Sequence, residues 1–194
     1  MMKGDRDTAV LPAGKRRITA EEYFQMPEGP PYFQLIDGEL VMSPSPTYFH
    51  QRITMRLTIA LGMYLEANPI GELTGAPSDV QLDEHNVFQP DLYFVRNERL
   101  GIIAAQRPKG APDLVIEVIS PGTKRDDLGR KKTISAKRGV IEYWSVFPNL
   151  KEVHVYRLQE SSEDPARELK EKDVLETPLL PGLRIHLAKI FKGS

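Results

Sequence analysis

The stretch PDLVIEVISPGTKRDDLGRKK, residues 112–132, contains an apolar segment typical of a buried strand, interrupted by one carboxylate, Glu117. Alternate side chains of a strand share a face, so Glu117 leaves the sheet on the side of Val115 and Ile119, among apolar neighbours. A lone buried carboxylate is costly, and proteins avoid that cost by pairing it, protonating it or binding a cation. For one isolated glutamate, the ordinary explanation is a satisfied ion pair.

Two further carboxylates favour a binding site over an ion pair. Asp91 holds an equivalent place in VFQPDLYFV, residues 87–95, and adjacent strands would bring it within a few ångström of Glu117. Glu39 begins a strand after Asp37-Gly38, the strongest local hairpin signal. Hard oxygen ligands that converge in this way describe a Mg²⁺ or Mn²⁺ site, which uses few carboxylates and keeps several waters.

A basic helical segment follows the strand that contains Glu117. At about 100° per residue, Lys131 falls between Leu128 and Ile134, at the centre of the apolar stripe. Arg130 and Lys132 fall at the borders of the stripe, where a long side chain can reach solvent. An inward lysine beside carboxylates could neutralise them, orient a water or offset charge on a reacting phosphate, although snorkelling out of the core is the commoner fate of such a residue.

Length and composition narrow the classes of protein. The chain has 194 residues, which suits one domain with a sizeable core, and its net charge is -1, so any nucleic-acid surface must be local. It has no cysteine, which excludes disulfides, zinc-thiolate sites and thiol nucleophiles. No apolar stretch is long enough for a membrane helix, and the N-terminus lacks the apolar core of a signal peptide, so we expect a cytoplasmic protein with no membrane partner.

The order of elements favours an α/β fold with a mixed sheet. Residues 1–17 are polar and basic and are predicted to form a flexible arm, followed by one domain over residues 18–194. The predicted elements are a short helix with a Thr19/Glu22 capping box, the hairpin at Asp37-Gly38, an amphipathic helix over about 46–67, strands over 78–84, 87–95 and 113–120, a helix over about 126–138, a hairpin turning at Pro148-Asn149, a solvated segment over 159–172, and a closing strand or helical turn over 179–191.

Six motifs occur in an order and at a spacing that resemble a known family. They are FQLIDGELVMSPSPTYFHQRI (33–53), QPDLYFV (89–95), PDLVIEVISP (112–121), DLGRKK (127–132), GVIEYWSVFP (139–148) and LLPGLRIHLAKIF (179–191). Together they resemble the bacterial "putative restriction endonuclease" family, a domain of unknown function within the PD-(D/E)XK nuclease superfamily. The resemblance runs from about residue 18 to residue 191, and it is specific because six weak motifs are in register.

The resemblance implies a restriction-endonuclease-like core, in which a mixed sheet flanked by helices carries a divalent-metal site for phosphodiester hydrolysis. Asp91 matches the motif aspartate, Glu117 matches the acidic residue of (D/E)XK, and Glu39 matches the acidic residue from the N-terminal part of the core. Ile119 stands where the motif lysine is expected, and Lys131 matches the lysine that this branch carries on the following helix. The resemblance thus gives catalytic roles to Glu39, Asp91, Glu117 and Lys131, and Mg²⁺ or Mn²⁺ ligation to the three acids.

His50 matches a histidine of the family in the first turn of the amphipathic helix. A polar cap on that helix is the commoner role for such a residue, and contact with nucleic acid is the alternative. Three positions depart from the family pattern: Gln34 stands where glutamate is frequent, Ser135 where tyrosine is usual, and Phe147 where aspartate is common. None of them removes a predicted ligand, but they leave open a site that binds metal and turns over poorly.

The predicted function is a metal-dependent nuclease, with DNA as the substrate by analogy alone. Many nucleases of the superfamily pair two active sites to cut two strands, so the resemblance also implies a homodimer. The resemblance and the basic run lead us to expect nucleic-acid contacts from His50, Lys124, Arg125 and Lys132.

Three other classes of function remain as alternatives. A non-enzymatic nucleic-acid binder would use the basic residues that crowd positions 124–138, although a solvated helix face is an equally good explanation for such a run. A glycosidase could use two carboxylates, but aromatic platforms are few and Trp144, in a predicted hairpin strand, is expected to pack in the core. A scaffold protein gives no reason for three acids and a lysine to converge.

Overall fold

The computed structural model describes residues 16–27, 29, 32–104 and 107–193. Its strands are β1 (Phe33–Ile36), β2 (Glu39–Met42), β3 (Gly71–Gly75), β4 (Val80–Asp83), β5 (Asn86–Phe88), β6 (Leu92–Arg96), β7 (Leu114–Val118), β8 (Glu142–Phe147), β9 (Glu152–Arg157), β10 (Arg167–Lys170), β11 (Val174–Thr177) and β12 (Leu180–His186). Its α-helices are α1 (Ala20–Phe24), α2 (Tyr48–Ala67), α3 (Lys131–Arg138) and α4 (Leu187–Phe191), with a 3₁₀ helix at Asn97–Ile102 and a π-helical turn at Asp126–Arg130.

β7 lies inside a six-stranded sheet with the order β10-β9-β8-β7-β6-β3. It pairs in parallel with β8 and antiparallel with β6, and the other neighbours in this sheet pair antiparallel, so the predicted mixed sheet is confirmed. All five residues of β7 are buried, as expected for a strand of a parallel pair whose crossover covers the sheet. That crossover carries the π-helical turn and α3, and its Lys131 reaches back to Glu117.

A second sheet has the order β2-β1-β5-β4. Its hairpin β1–β2 turns at Asp37-Gly38, as predicted, and pairs Ile36 with Glu39. Asp37 and Gly38 have positive φ angles of 52° and 77°, which suit a type I′ turn between twisted strands. The turn therefore fixes Glu39 at the first position of β2.

The main core lies between α2 and the central sheet. Ile53, Leu57 and Leu61 of α2 are at most 1% exposed and pack in the same cluster as Phe94 of β6 and Trp144 of β8. The amphipathic pattern of α2 is confirmed on this face, and so is the predicted core position of Trp144. α2 thus holds its first turn, which contains His50, at a fixed place beside the sheet.

The sequence prediction errs where strands are short or interrupted. The strand predicted over residues 87–95 is two strands, β5 and β6, and the break falls at Pro90, which has no N–H to donate to a ladder. The segment 159–172, predicted to be solvated, contains β10, in which Leu169 is buried. The closing segment is both a strand and a helical turn, β12 followed by α4.

β3 is a strand that its own pattern does not predict, because two glycines disfavour an extended segment. It pairs antiparallel with β6 over its whole length. A Cβ at Gly71 would lie 2.3 Å from the Val95 carbonyl oxygen, so the close approach of the two strands requires glycine there.

The predicted N-terminal arm, residues 1–17, lies outside the described residues except for Arg16 and Arg17. Both of these contact the domain: Arg17 Nε donates to the Asp37 carbonyl at 3.0 Å, and Arg16 pairs with Glu22. Both residues are exposed, so these are surface contacts. Across the described ranges, every helix is too short or too polar to cross a membrane.

Candidate active site

Asp91 and Glu117 meet where β6 and β7 lie side by side. The two strands pair antiparallel with Leu92 opposite Ile116, which sets Asp91, the residue before β6, opposite Glu117. Asp91 Oδ2 accepts a hydrogen bond of 2.7 Å from the Val118 backbone N–H, and the Asp91 N–H lies 3.4 Å from Glu117 Oε2. The predicted convergence of these two residues is confirmed.

Lys131 joins them from the start of α3. Its Nζ lies 2.5 Å from Glu117 Oε1 and 2.9 Å from Asp127 Oδ1, and the residue is only 2% exposed. The inward direction predicted from the helical spacing is confirmed, because the side chain does not snorkel to solvent. The chain enters α3 through the π-helical turn, in which the Lys131 N–H donates to the Asp126 carbonyl, and such turns are frequent at functional sites.

Asp127 completes the group and is the residue that sequence reasoning missed. It is 3% exposed and lies four residues before Lys131, so both side chains occupy the same face of the helix. Its carbonyl oxygen accepts a 2.9 Å hydrogen bond from the Tyr143 hydroxyl, which ties the π-helical turn to β8. The available signal in the sequence is the spacing between this acid and the inward lysine.

The carboxylate–lysine cluster, defined as Asp91, Glu117, Asp127 and Lys131, holds more acids than bases. Burial raises the pKa of Glu117 well above its ordinary value; Lys131 opposes the rise, and Asp127 and Asp91 add to it. Burial alone would lower the pKa of Lys131, but the charges of Asp127 and Glu117 outweigh it and raise that pKa. Lys131 therefore stays charged, and a cation bound beside Glu117 would favour the ionised form of that carboxyl.

His50, in the first turn of α2, faces Asp91, with its Nε2 3.2 Å from Asp91 Oδ2. Burial disfavours the charged ring, but the hydrogen bond with Asp91 and the charges of Asp91 and Asp127 outweigh burial and raise the pKa of His50. α2 is capped instead by Thr47, whose Oγ1 accepts from the His50 backbone N–H. The interpretation of the His50 side chain as a helix cap is therefore wrong.

The carboxylate–lysine cluster and His50 line a cavity of about 490 Å³. Gln34 of β1 lines the same cavity; its Oε1 accepts from the Gln89 N–H at 2.9 Å, and its Nε2 donates to Ser43 Oγ at 3.0 Å. In place of the glutamate that the resemblance leads us to expect, this chain presents a neutral carboxamide that is held in place from both ends.

Glu39 is not brought to the cluster, contrary to the prediction. Its carboxylate is half exposed and lies 3.2 Å from Arg130 Nη2, and the same nitrogen donates to the Ile36 carbonyl. Asp37, the first residue of the tight turn, also pairs with Arg130. The turn thus delivers both acids to this arginine, and Glu39 lies outside the cavity wall that the described residues form.

The basic residues of the crossover divide into buried and exposed ones. Lys124 and Arg125 are exposed next to residues 121–123 of the cavity wall. Lys132 is 5% exposed, with its Nζ 3.6 Å from the centre of the Tyr156 ring, and burial lowers its pKa. The prediction that Lys132 reaches solvent at the border of α3 is wrong, because Tyr156 of β9 covers that border.

The donor chemistry of the site suits Mg²⁺ or Mn²⁺ with few protein ligands. Asp91 and Glu117 offer hard oxygens to the cavity, and Mg²⁺ commonly takes one or two carboxylates and keeps several waters. Among the described residues, no group of three or more histidine, cysteine, aspartate or glutamate side chains is arranged to hold a metal. Of the three acids predicted as ligands, Asp91 and Glu117 line the cavity and Glu39 does not.

Residues 20–188 match the Uma2 family, described as "Putative restriction endonuclease". The chain belongs to this family. The resemblance drawn from the six motifs is thereby confirmed, and the match covers every element from α1 to β12. No curated protein matches the sequence.

The fold of this chain also occurs among solved structures. A protein from Anabaena variabilis ATCC 29413, described as a putative nuclease belonging to DUF820, superposes with a TM-score of 0.74 at 20% sequence identity. The alignment covers 90% of this chain and 97% of that one. At this identity the likeness concerns the fold, and it confirms the predicted α/β architecture with a mixed sheet flanked by helices.

Proposed function

We propose that this chain is a divalent-metal-dependent nuclease that hydrolyses phosphodiester bonds in DNA. The observation that carries the proposal is the junction of β6 and β7, where Asp91 and Glu117 share a cavity with the buried ammonium of Lys131. Two acids and a lysine in this arrangement supply hard oxygen ligands for a divalent cation and a fixed positive charge, both of which promote the hydrolysis of a phosphodiester.

Asp91 and Glu117 would hold Mg²⁺ or Mn²⁺ through carboxylate oxygens that face the cavity. When bound, such an ion polarises the phosphate, lowers the pKa of a coordinated water and stabilises the leaving oxygen. His50 orients Asp91, because its Nε2 lies on the same oxygen that accepts from the Val118 N–H. The carboxylate is thus fixed from two sides.

Lys131 supplies the fixed positive charge. Asp127 holds the ammonium from one side, so the lysine is positioned before a substrate arrives. A charge that is already oriented stabilises negative charge on the reacting phosphate without reorganisation, and it can also position the attacking water. Lys124 and Arg125 are exposed beside the cavity, where they would contact phosphates flanking the bond that is cut.

Gln34 favours a second candidate, a nucleic-acid-binding protein of the same fold with weak or no turnover. Its carboxamide replaces a carboxylate in the cavity wall and would hold a cation less tightly than a charged ligand. The exposed Lys124 and Arg125 would still bind phosphates in such a protein.

Cleavage of plasmid, linear and single-stranded DNA with Mg²⁺, Mn²⁺ or EDTA separates the two candidates. We expect metal-dependent cleavage that Asp91→Asn and Glu117→Gln abolish and that the control Glu39→Gln, outside the cavity, retains. Binding of DNA without cleavage under any metal condition would contradict the nuclease and favour the binder. Cytoplasmic location stays a prediction.

A further inference from the structure

The outward face of α2 is apolar where a surface helix is normally polar. Four large apolar side chains on this face are strongly exposed: Tyr48 (72%), Met55 (60%), Ile59 (53%) and Met63 (70%). Their spacing of seven, four and four residues places them in one stripe along the helix, opposite the face that packs on the central sheet. We call these four residues the α2 stripe.

The surface along the α2 stripe has a gap beside Gly62, and a charged residue lies near each end of the stripe. A Cβ at Gly62 would meet nothing within 4 Å, so the surface beside Ile59 and Met63 is open to an incoming side chain. Arg52 lies near the N-terminal end, where it donates to the Lys192 carbonyl. Glu66, one turn beyond Gly62, is exposed near the C-terminal end.

This pattern is complementary to itself when two copies of α2 run antiparallel. A two-fold axis at Ile59 sets Met55 opposite Met63 of the second copy and Arg52 opposite its Glu66, because the members of each pair are equally spaced about residue 59. Opposite charges then meet at both ends and apolar side chains meet between them, as a self-complementary two-fold interface requires. Parallel pairing would instead set like charges against each other.

We propose that the α2 stripe is the interface of a homodimer, in which two copies of α2 pack antiparallel about Ile59. A second copy of this chain is the partner that fits these charges. Arg52 and Glu66 lie at equal distances from Ile59 along the helix, so two copies of the same sequence can pair them with each other. Exposed apolar stripes of this kind mark association surfaces, and removing them from water drives association. The interface does not depend on nuclease activity.

Cysteine cross-linking tests the register, because the sequence has no cysteine and a single introduced thiol therefore reports on one position. Ile59→Cys places the thiol on the two-fold axis and should give a reducible dimer on oxidation. Met63→Cys is the matched control: its two copies would be roughly 12 Å apart along the helix axis, at 1.5 Å per residue, too far for a disulfide. Met63→Cys should instead cross-link to Met55→Cys when the two variants are mixed.

Light scattering after size exclusion tests the interface itself. We expect a dimer for the wild type and, for Gly62→Arg, a dissociation constant raised roughly thirtyfold or more, as when an interface hot spot is lost. Gly101→Arg is the control, because a Cβ at Gly101 also meets nothing within 4 Å but Gly101 belongs to the 3₁₀ helix Asn97–Ile102 and not to α2. Melts by circular dichroism should show that Gly62→Arg still folds, since glycine disfavours a helix interior. A monomeric wild type, a dimer unchanged by Gly62→Arg, or equal self-cross-linking of Ile59→Cys and Met63→Cys would overturn the proposal.

Discussion

β7 carries a buried acid at each end, and the two acids have opposite surroundings. Asp113, just before the strand, has a fully buried side chain that accepts hydrogen bonds from the Arg96 N–H at 3.0 Å, from Arg96 Nε at 2.8 Å and from Arg99 Nη1 at 3.0 Å. Burial by itself raises the pKa of Asp113, but these hydrogen bonds and the nearby positive charge outweigh it, and the pKa lies below its ordinary value. Asp113 is a satisfied structural ion pair.

Glu117 lies on the same face of the strand and is 3% exposed, yet it does not have a positively charged partner to itself. It shares one lysine with Asp127 and lies beside Asp91, and its pKa is raised. Asp113 shows that this fold can neutralise a buried acid completely. The balance of charge around a buried acid, rather than burial alone, therefore distinguishes the candidate site from a structural pair.

The largest effect expected from this comparison is the loss of the Asp113 pair. Asp113→Asn leaves two arginines without their shared acceptor and should lower the free energy of unfolding by about 3 kcal/mol, the lower part of the range for a broken buried pair, since both arginines keep partial access to water. Urea denaturation measures this. Glu98→Gln, at an exposed partner of Arg96, is the control and should change stability by less than about 0.5 kcal/mol. An equally small loss at Asp113 would remove the contrast between the two ends of β7.

Lys131 should matter for rate rather than for affinity. Lys131→Ala removes the charge next to Glu117 and should reduce DNA cleavage by about 10²-fold, equivalent to about 2.7 kcal/mol, with little change in DNA binding. Cleavage rates and salt-dependent affinities measure the two effects, at a temperature where circular dichroism shows the variant to be folded.

Lys124→Ala is the matched control for Lys131→Ala, because Lys124 is exposed beside the cavity. It should weaken DNA binding and reduce the salt slope by about one counterion, with no separate loss of rate. Equal effects of both changes on binding, without a specific loss of rate at Lys131, would contradict the role given to the buried lysine.

The two acids should also respond to pH in opposite directions. The pKa of Glu117 is raised in the folded protein, so its contribution to stability is present below the unfolded pKa and is lost as the pH rises through the folded pKa. The pKa of Asp113 is lowered in the folded protein, so its contribution to stability is lost as the pH falls through the folded pKa. Without metal, Glu117→Gln should lie within about 1 kcal/mol of the wild type or be more stable, and its relative stability should increase from about pH 4 to pH 7.

Denaturation of both variants in EDTA from about pH 2 to pH 7 measures these slopes. Asp113→Asn serves as the control with the opposite sign: because the pKa of Asp113 is lowered, its deficit should be constant near neutral pH and should shrink as the pH falls below about 4. A marked destabilisation by Glu117→Gln at neutral pH would instead mean that Glu117 is as well satisfied as Asp113.

The elements with a strong local pattern were predictable from the sequence. α2 shows a clear helical period, and Asp37-Gly38 specifies its own turn. β3 and β10 were not predictable, because each is a short edge strand whose pairing depends on the strand beside it. Gly71 is the clearest case, since glycine weakens a strand in isolation but is required by the approach of Val95.

The candidate site was predictable where the periodicity of a strand or helix fixes the direction of a side chain. The alternation of β7 and the helical period of α3 sufficed to bring Glu117 and Lys131 together. Glu39 and Lys132 were misplaced because their partners, Arg130 and the Tyr156 ring, belong to other elements whose packing no local pattern specifies.

Titration calorimetry with Mg²⁺ and Mn²⁺ tests most directly the claim that the Glu117 end of β7 is a cation site. We predict that the wild type binds the ion and that Glu39→Gln binds it equally well. Asp91→Asn and Glu117→Gln should each weaken binding by at least about tenfold, because each removes one of two charged ligands. No heat of binding in the wild type, or a loss at Glu39→Gln as large as that at Glu117→Gln, would contradict this claim.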